Sequence, residues 1–174
     1  MKLLKHPNLR QTYDYDCGAQ VLQSVIAYYG VDVAECDIIK SAGTNKEGTS
    51  IKGLVRTAKK NGFKIITKSM TVDEVKAYID QEMPVILMLQ AWGRSNSNYA
   101  KGWSNGHFVV AIGYDFKKIY FEDPAAIQRT YLTYKELEKR WHDTDTDGTK
   151  YKNLGIVLYG KKPKFKLDQV IRMG

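Results

Sequence analysis

The stretch Gln11-Thr12-Tyr13-Asp14-Tyr15-Asp16-Cys17-Gly18-Ala19-Gln20-Val21-Leu22 decides how this chain is read. Up to Asp16 it is polar and aromatic without a period. From Cys17 onward apolar residues recur at helical spacing: Val21, Val25 and Tyr28 share a face with Cys17, and Leu22, Ile26 and Tyr29 widen the stripe. A helix is therefore expected from about Cys17 to Tyr29, with Asp16 as N-cap and Gly30 where a left-handed residue ends it. That places Cys17 at a helix N-terminus, whose free N–H groups and partial positive charge favour thiolate over thiol. A thiolate is the nucleophilic form, so a catalytic cysteine belongs at such a position; a cysteine that only packs belongs there too. Gly18 removes a side chain beside it and is expected to leave room for a substrate backbone.

Outward from this helix, the first half of the chain stays mainly helical. Helices are expected from near Asp32 to Gly43 and from after Ser50 to Asn61-Gly62, then an alternating strand from Phe63 to Met70. Thr71-Val72-Asp73-Glu74 is a capping box that opens a helix through about Gln81. The second half changes character. Val85 to Leu89 reads as a buried strand, followed by a polar loop from Gln90 to Gly106 that carries Trp92, Tyr99 and Trp103. Phe108 to Ile112 and Ile119 to Phe121 are strands joined by a turn at Asp115 to Lys118. A strand at Arg129 to Leu132, a short helix capped by Thr133 and ending near Trp141, and a strand at Ile156 to Tyr159 complete the set. Helices first and antiparallel strands later indicate an α+β class. The 174 residues are read as a single domain, with a core over about 8–160 and a basic tail over 161–174.

The hairpin brings a second reactive residue into the argument. Asn105-Gly106-His107 sits at the mouth of the strand starting at Phe108, and the turn makes residues whose numbers sum to about 231 face each other. His107 then lies opposite roughly Asp123-Pro124, with a one-residue slip or bulge deciding the facing. These residue types permit one mechanism: His107 takes the Cys17 proton or shares a thiolate–imidazolium pair, and Asp123 orients the ring. The oxyanion formed in acyl transfer needs donors placed in advance. The Cys17 N–H is one, and the side-chain amide of Gln11, six residues upstream, is a candidate for the second.

Gln11 to Gly18, then Gly106-His107-Phe108-Val109-Val110, then Glu122-Asp123-Pro124-Ala125 resemble the bacteriocin-processing, double-glycine leader peptidases. These are papain-like cysteine peptidases found as domains of peptide-exporting ABC transporters and as stand-alone proteins. The resemblance runs from Gln11 to about Ala125 and implies a papain-like fold, with a helical half carrying the cysteine and an antiparallel sheet carrying the histidine. It implies Cys17 as nucleophile, His107 as base, Asp123 as its orienting partner and Gln11 as oxyanion-hole donor, with no cofactor. It further implies a peptide or protein substrate cut after a Gly-Gly-like pair, and a peptide-exporting transporter as a partner. Gly18, Trp92, Trp103 and Gly106 are the expected substrate-binding residues; the two tryptophans either line a groove or pin the long loop. A peptidase-like module that binds without cutting, and an acyltransferase or deamidase using the same thiol, remain alternatives.

Composition narrows the setting. The longest apolar run, Pro84 to Leu89, is too short to cross a membrane, and the N-terminus has no apolar h-region, so a cytoplasmic location is expected. The net charge of +8 is carried by scattered lysines rather than by a basic stripe with interleaved aromatics, so nucleic acid is not an expected partner. Two cysteines and three histidines without CxxC or HxxxH spacing give no expected metal site. Asp143 to Gly148 begins like a calcium loop, yet Leu154 occupies the twelfth position, so a solvated acidic turn is expected. His142, beside a flexible Asp143, ranks below His107 as a base. His6 is expected to be exposed in a mobile arm. Cys36, between Glu35 and Asp37, reads as an inert thiol.

Overall fold

A computed structural model of the chain describes residues 1–173. The helices are α1 (Cys17–Tyr28), α2 (Glu35–Ala42), α3 (Ile51–Lys60), α4 (Val72–Asp80) and α5 (Tyr134–Arg140). The strands are β1 (Lys2–Leu3), β2 (Lys64–Ser69), β3 (Val85–Gln90), β4 (Gly106–Tyr114), β5 (Lys118–Glu122), β6 (Thr130–Thr133), β7 (His142–Thr144), β8 (Lys150–Lys152) and β9 (Leu154–Tyr159). One antiparallel sheet runs β2-β9-β3-β4-β5-β6, with β1 added on β4; β7 and β8 form a separate hairpin. The α+β expectation holds.

The central helix α1 is buried almost all round, not along a single stripe: Gln20 and Ser24 are as enclosed as Val21, Leu22, Val25 and Ile26. It lies between β4 and the pair α2–α3. Tyr29 at its C-terminal end reaches across to the Leu158 carbonyl on β9 (2.9 Å), and Gly30 leaves the helix at φ +78°. Asp16 occupies the N-cap position without capping. Its carboxylate turns back instead and accepts from the N–H groups of Thr12 and Tyr13 at 3.2–3.3 Å. Both capping boxes read from sequence, Thr71 with Glu74 and Thr133 with Glu136, are present in full. The second helix starts three residues later than expected, at Glu35.

The strands follow the apolar pattern, with shifts at their ends. β3 includes Gln90, which is completely buried, and β4 begins at Gly106, so the loop proper is 91–105. Between β4 and β5 a bulge separates Ala111↔Phe121 from Gly113↔Tyr120, so facing residues sum to 232 below it and 233 above it. The bulge lies where Gly113 receives β1: Leu3 pairs with Gly113, and the Lys2 carbonyl is 2.5 Å from where a Cβ would stand.

Both chain ends depart from the expected core of 8–160. The N-terminal arm pairs as β1, buries Leu4, and places His6 under α1 with 1% exposure, its ring stacked on Tyr28 at 5.3 Å. At the other end, Lys164 and Phe165 donate backbone N–H groups to the Tyr28 carbonyl. No helix among the described residues is long and apolar enough to cross a membrane.

Candidate active site

Cys17 is the first residue of α1 and is half-buried; His107 is the second residue of β4; Asp123 follows the last residue of β5. Pairing of β4 with β5 stops at Val110↔Glu122; Asp123 follows, and the chain turns at Pro124–Ala125. Asp123 Oδ1 meets His107 Nε2 at 2.7 Å with both side chains buried. With Nε2 held there, Nδ1 is the nitrogen left for Cys17. Burial works against the protonated imidazole, but the Asp123 carboxylate and the neighbouring Cys17 sulfur outweigh it, and the His107 pKa is raised to about 9. Asp123 shows the reciprocal effect: burial lifts its carboxyl, and the imidazole with its other donors holds the net value below the usual range.

Three further donors fix Asp123. The Ala125 N–H reaches Oδ1 at 3.0 Å, while the Trp92 indole N–H (3.1 Å) and the Thr130 hydroxyl (3.3 Å) reach Oδ2. Neither Trp92 nor Thr130 stood out for this role in the sequence. The signal for Trp92 was its N–H, which needs an acceptor wherever the ring is pinned. Its backbone lies at φ +56°, and its ring is 60% exposed beside the site.

Segment 8–11 runs along segment 124–127 and ties the cysteine turn to the aspartate. Gln11 N–H donates to the Pro124 carbonyl (3.0 Å), Asn8 Nδ2 to Ile127 (2.7 Å) and Arg10 to Ala125 (3.3 Å). Gln11 therefore sits between the Cys17 turn and the Asp123 bend. One of its two amide protons is engaged by the Tyr13 carbonyl at 2.7 Å, and its Oε1 is buried without a partner. Asp16, which holds this turn, is lifted by burial against the pull of the Tyr13 N–H, with the Glu35 carboxylate adding to the rise.

A cleft of about 230 Å³ opens at Cys17, bordered by Gly48, Thr49, Trp103, Gly106 and Asp143. Gly18 is not part of its open surface: a Cβ there would stand 2.7 Å from Thr49 Cβ and 3.1 Å from the Phe108 ring, so the protein itself fills that space. The expectation that Gly18 leaves room for substrate is thus corrected. Gly106 does lie on the cleft, exposed, and its missing side chain admits the Asp143 carboxylate, whose Oδ2 is 2.0 Å from the Cβ position. Trp103 packs on His142 (ring centroids 4.5 Å apart) at the cleft wall.

The acidic turn differs from expectation. Asp143 is buried, accepts from Gln90 Nε2 at 2.8 Å, and is pushed by burial up to about 6. Asp145 is buried too and accepts from the Ile51 N–H at the start of α3 (3.2 Å). Only Asp147 faces solvent. His142 Nε2–H donates to the Gly102 carbonyl (2.8 Å), so that ring is engaged there and is no rival base. Cys36 is an exposed free thiol on α2. No cluster of three or more His, Cys, Asp or Glu among the described residues is arranged to hold a metal ion.

Comparison with known proteins gives the same region a family. The model of the peptidase C39 family matches residues 5–145. The transport/processing ATP-binding protein ComA of Streptococcus pneumoniae is 27% identical over 144 residues, which cover 81% of this chain and 18% of that protein. A C39-like peptidase from Bacillus anthracis superposes with a TM-score of 0.72 at 17% identity, covering 93% of this chain and 98% of the other. A double glycine motif protease from an AMS/PCAT transporter, solved in complex with the leader peptide, superposes with a TM-score of 0.67 at 21% identity, covering 93% and 94%. These likenesses show the papain-like fold of that family.

Proposed function

The chain belongs to the peptidase C39 family, and we propose that it is a cysteine peptidase that cleaves leader peptides after a pair of small residues. The observation that carries this is the 2.7 Å contact of His107 Nε2 with Asp123 Oδ1, which leaves Nδ1 for a cysteine at a helix start. In the proposed sequence the Cys17 thiolate attacks the scissile carbonyl carbon. The oxyanion takes hydrogen bonds from the Cys17 N–H and the free amide proton of Gln11. His107 Nδ1–H then protonates the leaving amine as the C–N bond breaks, which leaves a thioester on Cys17. Water attacks the thioester, His107 accepts its proton, and the thiolate departs with the acid product released.

The leader-peptide reading is supported by the likeness to a double glycine motif protease solved with its leader, and by the shallow, glycine-bordered cleft beside Cys17. A peptide exporter, meeting the substrate on the cytoplasmic side, is the partner this reading implies. The test is incubation with a leader–core peptide carrying a Gly-Gly junction, with products read by mass. Cleavage with one added water, lost by roughly 10⁴-fold or more in Cys17→Ala, is the expected result. Full retention of cleavage by Cys17→Ala overturns the proposal, and a product mass showing an added acceptor instead of water identifies an acyltransferase.

A further inference from the structure

A second depression adjoins the site on the other side of His107. Leu89 pairs with His107 and Leu87 with Val109, so these side chains project from one face of the sheet, whereas Met88 and Phe108 project from the other. The cleft at Cys17 includes Met88 and Phe108. The second cavity, of about 410 Å³, is bordered by Leu89, Val109, Phe121 and Leu132 from that face of the sheet and by Trp92 and Tyr99 from the loop, with Asp123, Glu136 and Arg140 also on its lining; the Tyr131 ring lies on the opposite face, against Tyr120. The two share no residue. Cys17 belongs to one and Asp123 to the other, so the His107 ring stands between them.

The chemistry of the proposed reaction assigns sides to these cavities. The acyl half of the substrate is bonded to Cys17, so it lies over the cleft that Cys17 lines. The leaving amine receives its proton from His107 Nδ1, so the chain beyond the scissile bond passes the imidazole and meets Trp92 and Asp123 next. Trp92, which borders the second cavity, is 60% exposed, a large bare aromatic surface to leave beside a buried ion pair. The volume is that of a ligand pocket, and the strand residues that line it from this face are apolar apart from Thr130.

We propose that this cavity binds the side chain of the residue immediately after the scissile bond and selects a large apolar or aromatic one. The inference rests on the peptidase reading above and adds a specificity on the leaving side. Leu132 is the residue to change: it lies on the edge strand β6, pairs with Ile119 on the cavity face, and its side chain makes no hydrogen bond to His107 or Asp123. A mixed-sequence peptide library is digested with the wild type, with Cys17→Ala and with Leu132→Asp, and the cut sites are read by mass spectrometry. Wild-type cuts that depend on Cys17 are expected to be followed by Phe, Tyr, Trp, Leu or Met over Asp or Glu by roughly ten- to a hundredfold. In Leu132→Asp that ratio is expected to fall at least tenfold, with Lys and Arg gaining. The ratio is taken within each variant, so a loss of folded protein cancels. A flat distribution after Cys17-dependent cuts, or a preference that Leu132→Asp leaves unchanged, overturns this inference while the peptidase reading stands. Absence of any Cys17-dependent cut overturns both.

Discussion

His107 reaches Asp123 with one ring nitrogen and leaves the other for Cys17, and its chemistry follows from that division. With its pKa raised to about 9, the imidazolium persists through neutral pH, the form that a thiolate–imidazolium pair requires. Cleavage is therefore expected to decline as pH rises through about 9. Asp123→Asn removes the anion that holds the proton, so the alkaline limb should move down toward the ordinary histidine value of about 6.5, with the rate falling roughly 10²–10⁴-fold. A pH profile of kcat/KM for both proteins reads this directly, and an unmoved alkaline limb would show that Asp123 does not set the imidazole basicity. The linked stability has the same sign: the contribution of His107 is complete below about 6.5 and is lost as pH rises through about 9.

The element on which the site depends most is the turn before α1. Its capping residue serves the turn and not the helix: the Asp16 carboxylate holds the Thr12 and Tyr13 N–H groups, and these place Gln11 along Pro124. Asp16→Ala leaves two backbone donors without an acceptor, at a cost of roughly 2–3 kcal/mol, or about 5–10 °C in Tm for a domain of this size. Cleavage should fall further than stability, by more than about tenfold, because Gln11 and Cys17 lose their fixed relation. Asp16→Asn, which keeps an acceptor oxygen, should recover most of the melting temperature. Thermal melts alongside cleavage assays separate the two effects, and equal loss in both would make Asp16 a purely structural residue.

At the scale of the whole molecule the N-terminal arm is a structural member. It adds β1 to β4 and drives His6 under α1, where burial lowers the histidine pKa to about 3 against the pull of the Pro7 carbonyl, with Arg129 lowering it further. A depressed histidine stabilises the fold above its unfolded value of about 6.5, and that contribution is lost as pH falls from there toward about 3. Each unit is worth about 1.4 kcal/mol, so by pH 4.5 the loss from this one residue is about 3 kcal/mol. Denaturant titrations at pH 7 and 4.5 should show that difference, and His6→Gln should flatten it. An acid limb as steep in His6→Gln as in the wild type would assign acid lability to the carboxylates instead.

The elements and the candidate site residues were legible in the sequence because each is written in local terms. Helical periodicity from Cys17, the two capping boxes, the apolar run at Val85 and the alternation around Phe108 depend on neighbours within a few positions. His107 and Asp123 could be paired because a short hairpin turn brings distant numbers together by simple counting; even there the bulge at Ala111–Gly113 moved the register, and the two side chains meet beyond the last paired residues rather than as a directly facing pair. What tertiary structure alone decided depends on partners far along the chain. The space beside Gly18 is taken by Thr49 and Phe108, and Asp143 and Asp145 of an apparently solvated turn are buried against Gln90 and α3. Trp92 spends its N–H on Asp123. His6, in a charged arm without a period, is buried because β4 offers an open edge there, and no pattern within the arm itself records that edge.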